Sequence, residues 1–191
     1  DQPVHVWGHS LGVNVALELA AAEPDLIRSL TLIAGTVKSP FEGMFGTDIL
    51  QNFIAGGLDT YPDRVAMFHL LWKVLAHPPA LHAGSRILGF NMDASTLHDV
   101  DTYTQSVVSM DPRTFFLLMR DFSKGMTEKL LPKIKTSALI VAGARDPLTP
   151  ASGAREFAAK MPAGHYIEIP AGSHNVQLDF GEYVALKVEE F

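Results

Sequence analysis

The stretch "VWGHSLGVN", residues 6–14, frames a serine with two glycines, Gly8-His9-Ser10-Leu11-Gly12, between an apolar run and an Ala/Leu-rich run. A G-x-S-x-G pattern arises by chance in roughly one chain in ten of this length and composition, so its setting decides its meaning. Upstream, residues 4–8 (VHVWG) are apolar, partly β-branched and closed by glycine, which predicts a strand. Downstream, residues 11–22 (LGVNVALELAAA) are strong helix formers stopped by Glu23-Pro24. A strand running into the pattern and a helix running out of it is the setting in which such a serine stands exposed on a strained turn. Gly8 and Gly12 permit the tight turn, and the helix N-terminus favours developing negative charge at the same spot. His9, inside the turn, is expected to pack or support its neighbours rather than react.

Residues 29–35 (SLTLIAG), 138–143 (ALIVAG) and 165–170 (HYIEIP) predict three further strands. Residues 151–161 and the end of the chain within 180–191 predict helices. Strands alternating with helices imply an α/β protein with a parallel sheet covered on both faces. The stretch from 37 to 133 breaks that rhythm. It holds helix-like segments at 62–76, with Thr60 as a possible N-cap and Asp63 three residues on, and at 112–122. Residues 1–36 and 134–191 are therefore expected to form the core, and 37–133 a mainly helical cap inserted into it.

A nucleophilic serine needs a base, and the base needs an orienting acid. Asp146 closes "ALIVAGARDP", directly after the third strand, and His174 lies in "IPAGSHNVQ", just after the fourth. Both fall on the C-terminal edge of a parallel sheet, where functional residues collect. An acid after the second strand would compete with Asp146, but "LIAGTVKSP" offers no carboxylate. The order Ser10, Asp146, His174 matches one of the known triad orders and neither of the two protease orders.

On "VHVWGHSLG", "PDLIRSLTLIAG", "ALIVAGARDPLTP" and "YIEIPAGSHNVQLDFGEY", the chain resembles the C-terminal two-thirds of an α/β-hydrolase fold protein with a helical cap. The resemblance implies Ser10 as nucleophile, His174 as general base and acid, Asp146 as the orienting acid, and the amide of Leu11 as one oxyanion-hole donor. It implies hydrolysis of an ester-type, apolar acyl substrate through an acyl-enzyme, with no cofactor and no metal. Thioester cleavage, carbon–carbon bond hydrolysis and acyl transfer remain open alternatives. A non-catalytic ligand-binding module or an inactive fragment also stays open. In the resembled fold, further strands and a second oxyanion donor precede the nucleophile strand. A missing N-terminal segment of the same protein is therefore expected, with Val4 to Gly8 left as an uncovered apolar edge.

The other histidines invite a metal reading. His69 and His77 can share a helical face, but Lys73 stands between them, and no carboxylate completes a set with His82 or His98 at ligand spacing. His5 and His165 read as ordinary strand residues. Apolar cap residues such as Met67, Phe68, Trp72, Phe115 and Phe116 are expected to pack the cap, with a subset roofing a pocket above Ser10. The 191 residues carry a net charge of −6 without a basic cluster, which disfavours nucleic acid as a partner. There is no cysteine, so thiolate catalysis and disulfides are excluded. No apolar run approaches the ~18–20 residues of a membrane span, and a cytoplasmic location is expected.

Overall fold

The computed structural model describes residues 2–39, 57, 59–75, 84, 89–124 and 127–191. Strand β1 (Val4–His9) leads into helix α1 (Leu11–Ala22), and a 3-10 turn at Pro24–Leu26 leads into β2 (Ile27–Ile33). Among the described residues that come next are the helices α2 (Val65–Leu75), α3 (Leu97–Val108) and α4 (Pro112–Phe122). The chain then returns through β3 (Ala138–Gly143), α5 (Ala151–Lys160) and β4 (Gly164–Ile169). A one-turn helix α6 (Val176–Asp179) and helix α7 (Gly181–Glu190) end it.

The four strands form one sheet in the order β1-β2-β3-β4, and every neighbouring pair is parallel. β3 is buried at every position, as a strand covered on both faces should be. Its side chains divide with the two-residue period of a strand. Ala138, Ile140 and Ala142 join Leu30, Leu32, Val13, Leu17 and Phe157 in one core cluster. Leu139 and Val141 join Ile33, Ile169 and Val184 in another. Each fully buried Leu, Ile or Phe contributes about 1.5–3 kcal/mol, so these two layers fix the register that carries the site. Among the described residues β1 pairs with β2, and Val4 and Trp7 on it are each 53% exposed.

The second strand runs two residues earlier than the sequence implies: Ile27 already pairs with Val4, and Ala34 turns to φ 47° at the far end while its amide still donates to the Val141 carbonyl (2.9 Å). Among the described residues no strand falls between 37 and 133. The expected cap at Thr60 is corrected. Its hydroxyl donates to the Gly57 carbonyl, residues 61–63 form a 3-10 turn, and the α-helix begins only at Val65. Helix α3 was not expected; a capping box closes its first turn, with Thr96 and Asp99 each satisfying the other's backbone amide. Tyr61, Phe68 and Phe116 are buried against Trp72 and Phe115, so these aromatic residues build a small core of their own. No helix among the described residues is long and apolar enough to cross a membrane.

Candidate active site

Ser10 occupies the turn between β1 and α1 at φ 54° and ψ −119°, a conformation that side chains other than glycine rarely adopt. Its amide donates to the Ile33 carbonyl at the end of β2 (2.9 Å), which holds the turn in place. Tight packing enforces it. A Cβ at Gly8 would stand 2.5 Å from the Gly12 carbonyl oxygen, so only glycine lets β1 and α1 approach this closely. Serine at a helix N-cap ordinarily turns its hydroxyl onto the helix's first amides, yet Ser10 makes no such bond. Its Oγ lies 2.9 Å from Nε2 of His174 instead. The amides of Leu11 and Gly12, in the first turn of α1, have no carbonyl four residues earlier within the helix.

His174 is buried, and its Nδ1 lies 2.9 Å from Asp146 Oδ2. Asp146 is buried as well, and four donors surround its carboxylate. The amides of Leu148 (2.8 Å) and Thr149 (2.9 Å) donate to Oδ1. The Thr149 hydroxyl (2.6 Å) and His174 Nδ1 donate to Oδ2. All four contacts are acceptor roles, which a carboxylate fills without a proton of its own. Nδ1 thus faces Asp146, and Nε2 is the nitrogen that faces the Ser10 hydroxyl. Thr149 Oγ also lies 3.0 Å from the Ala34 carbonyl and 3.3 Å from His174 Nδ1. Its single proton serves the shorter, charge-assisted contact with Asp146.

His9 ends β1 and packs against the same group. Its Nε2 lies 2.9 Å from the main-chain carbonyl of His174, and the two rings are 5.1 Å apart. A carbonyl only accepts, so this nitrogen carries the proton. Burial, reinforced by repulsion from a charged His174, lowers the His9 pKa to about 4, against the opposing pull of that hydrogen bond and of Asp146. From α3, Tyr103 sets its ring edge-on to His9 (5.9 Å) and to Phe90 (5.4 Å). Burial, and secondarily the Asp146 charge, raise its phenol pKa.

Ser10, Asp146 and His174, singled out in the sequence, are thus joined in one hydrogen-bonded series, with Leu11, Gly8, His9 and Gly12 around the turn. The remaining histidines lie elsewhere. His5 bonds Ser29 on the exposed side of β1, His165 packs against Phe191, and His69 lies 3.3 Å from the Tyr61 hydroxyl. His98 is exposed, and His77 and His82 lie outside the described residues. No group of three metal-ligating side chains occurs among the described residues. Thr149 and Tyr103 escaped the sequence reading. The Asp-Pro-Leu-Thr run signals the first, since an aspartate bonding the amides two and three residues on is a turn habit. Nothing local signals Tyr103.

The family model for the alpha/beta hydrolase fold matches residues 1–180. The chain belongs to this family. Among curated members of similar sequence, the alpha/beta hydrolase chain is 26% identical over 181 residues to the dihydrolipoyllysine-residue acetyltransferase component of the acetoin cleaving system of Pseudomonas putida. That match covers 94% of this chain and 43% of that protein. It is 25% identical over 195 residues to the pimeloyl-[acyl-carrier protein] methyl ester esterase of Neisseria meningitidis, covering 100% of this chain and 69% of that one. Among solved structures, a thermophilic esterase from Thermogutta terrifontis aligns with a TM-score of 0.68 at 17% identity, over 99% of this chain and 64% of that one. The alpha/beta hydrolase chain therefore spans between about two-fifths and two-thirds of the length of these relatives.

Proposed function

We propose that the protein hydrolyses an ester-type acyl substrate through Ser10, His174 and Asp146. The observation that carries this reading is the unbroken series Ser10 Oγ, His174 Nε2, His174 Nδ1 and Asp146 Oδ2, with both links at 2.9 Å. His174 takes the Ser10 proton as Oγ attacks the acyl carbonyl, and the collapsing intermediate expels the alcohol, which leaves with that proton. A water molecule then gives its proton to His174 and its oxygen to the acyl carbon, releasing the acid and restoring Ser10. Asp146 fixes the tautomer and balances the imidazolium. The Leu11 amide is the reading's first oxyanion donor, since it is unpaired within α1 and next to the attacking atom.

The same reading assigns residues 1–36 and 134–191 to the hydrolase core and 37–133 to a helical cap. It is supported by the sheet, whose strands among the described residues fall in the first two ranges, and by the aromatic cluster around Tyr61 and Phe116. Acyl transfer to a thiol or alcohol is the second reading, favoured by the acetyltransferase name of one relative.

Labelling of the full-length protein with a fluorophosphonate tests the proposal. Ser10 should be modified, with no reaction in Ser10→Ala and a strongly slowed one in His174→Ala. An unlabelled protein that still binds acyl ligands would make it a binding module. A panel of p-nitrophenyl esters of graded chain length, with and without a thiol acceptor, then separates hydrolysis from transfer.

A further inference from the structure

The loop that carries His174 is tied to a segment about 80 residues earlier in the chain. Asn91 Nδ2 donates to the Ala171 carbonyl (2.9 Å). The Gly89 carbonyl accepts from both the amide (3.3 Å) and the side-chain nitrogen (3.2 Å) of Asn175. Ser95 Oγ donates to Asp179 Oδ1 (2.6 Å), while Oδ2 of the same carboxylate accepts from the amide (2.8 Å) and hydroxyl (2.5 Å) of Ser173. The two neighbours of His174 in sequence are therefore both held from the segment 89–95, one directly and one through Asp179. Ser95, Ser173 and Asn175 are all buried.

Gly89 adds a steric limit. It sits at φ 80°, and a Cβ there would overlap the Cβ of His174. The segment thus touches the histidine itself as well as its flanks.

The loop's own turn does not need these ties. Gly172 bonds back to Ile169 (3.0 Å), the Leu178 amide bonds Asn175 (2.8 Å), and the Arg145 amide holds the Gly172 carbonyl (2.9 Å). What the long-range bonds add is sideways restraint on a base whose reacting nitrogen must stay within hydrogen-bond reach of Ser10. A displacement on the order of 1 Å at such a group costs up to about 100-fold in rate.

We propose that Asn91, Ser95 and Asp179 are positioning residues that clasp the His174 loop, coupling the turn segment 89–95 ahead of α3 to the position of the base. The proposal rests on the reading of Ser10, His174 and Asp146 as a working triad. It gives the helical region a role beyond covering substrate, because whatever shifts residues 89–95 also shifts His174.

The discriminating variants are Ser95→Ala and Asn91→Ala, singly and together, in the full-length protein. Each removes one cross-tie and leaves the Ser173–Asp179 bonds and the loop's own turn intact. Ser106→Ala serves as control, since its hydroxyl bonds only within α3 (to the Thr102 carbonyl, 2.8 Å). The double variant should lose about tenfold or more in kcat and in the rate of fluorophosphonate labelling, with KM for a short ester unchanged. Ser95→Thr, which keeps the hydroxyl, should recover most of the rate lost in Ser95→Ala. If the double variant does not fold, the single variants decide. Variants that label and turn over as fast as the parent protein overturn the clasp. So does a loss confined to KM, which would mark a substrate contact. A parent protein that does not label at all overturns the triad reading, and the clasp with it.

Discussion

The proton on His9 Nε2 is donated to the carbonyl of His174 across 2.9 Å, so the residue before the serine holds the backbone of the residue that faces it. The two imidazoles have different tasks. His174 turns its Nε2 to Ser10, while His9 keeps its proton and its neutrality.

That neutrality predicts an acid-sensitive stability. His9 takes up a proton near pH 4 in the folded protein, but near the ordinary histidine value of 6.5 when unfolded. As pH falls below 6.5 the unfolded chain binds the proton first. Stability is therefore full above about pH 6.5 and is lost toward pH 4, by on the order of 3 kcal/mol. Urea melts of the parent protein, His9→Phe and His9→Gln at about pH 7.5 and about pH 4.5 read this difference. Both variants should lose less on acidification than the parent. Gln, which keeps an N–H donor, should retain more Ser10 reactivity than Phe. Equal acid loss in all three proteins would remove His9 from the account.

Thr149 is expected to matter through Asp146. Its hydroxyl supplies one of the two donors on Oδ2, and hydrogen bonds to charged groups are worth about 1.5–3 kcal/mol. Thr149→Val should slow Ser10 labelling by about 10- to 100-fold, if that bond is fully expressed in the reaction. Thr149→Ser should stay close to the parent. A Val variant with undiminished rate would show that the two amides on Oδ1 hold the carboxylate by themselves.

The backbone of Ser10 makes a separate prediction about stability. Ser10→Ala and Ser10→Gly both delete the hydroxyl, but only glycine accepts φ 54° without cost. Strain of about 1–3 kcal/mol is relieved in the glycine variant, less about 0.5–1 kcal/mol for the extra freedom of the unfolded chain. Ser10→Gly should therefore melt above Ser10→Ala by about 1 kcal/mol of stability at the midpoint. The reverse order would mean that alanine relaxes the turn.

Ser10, Asp146 and His174 were legible because each follows a short apolar run that announces a strand end, and parallel strands bring their ends to one edge. The supporting layer was less so. Helix α3, with its sequence LHDVDTYTQSVV, sets Leu97, Val100, Tyr103 and Val107 at helical spacing among polar and β-branched residues of low helix propensity, and its start is marked by the Thr96–Asp99 pair. Thr60 misled because a threonine ahead of a helical stretch has the same composition whether its hydroxyl caps or donates to Gly57. The bonds from Asn91 and Ser95 to residues 171 and 179 leave no periodic trace, since they join segments about 80 residues apart.

β2 lies between the strand that carries Ser10 and the strand that precedes Asp146, and gives no side chain to the hydrogen-bonded series. Its end braces the turn instead, through the Ile33 carbonyl on the Ser10 amide. Adjacent strands stand about 4.8 Å apart, so the attachment points of Ser10 and His174 are separated by three such intervals, roughly 14 Å. The sheet acts as a rigid ruler, and the loop after β4 folds back to close the remaining gap. Adjustment of the site therefore belongs to that loop and to what grips it. Over generations of sequence change, the strands can stay as they are while the reach of one histidine is retuned from outside the sheet.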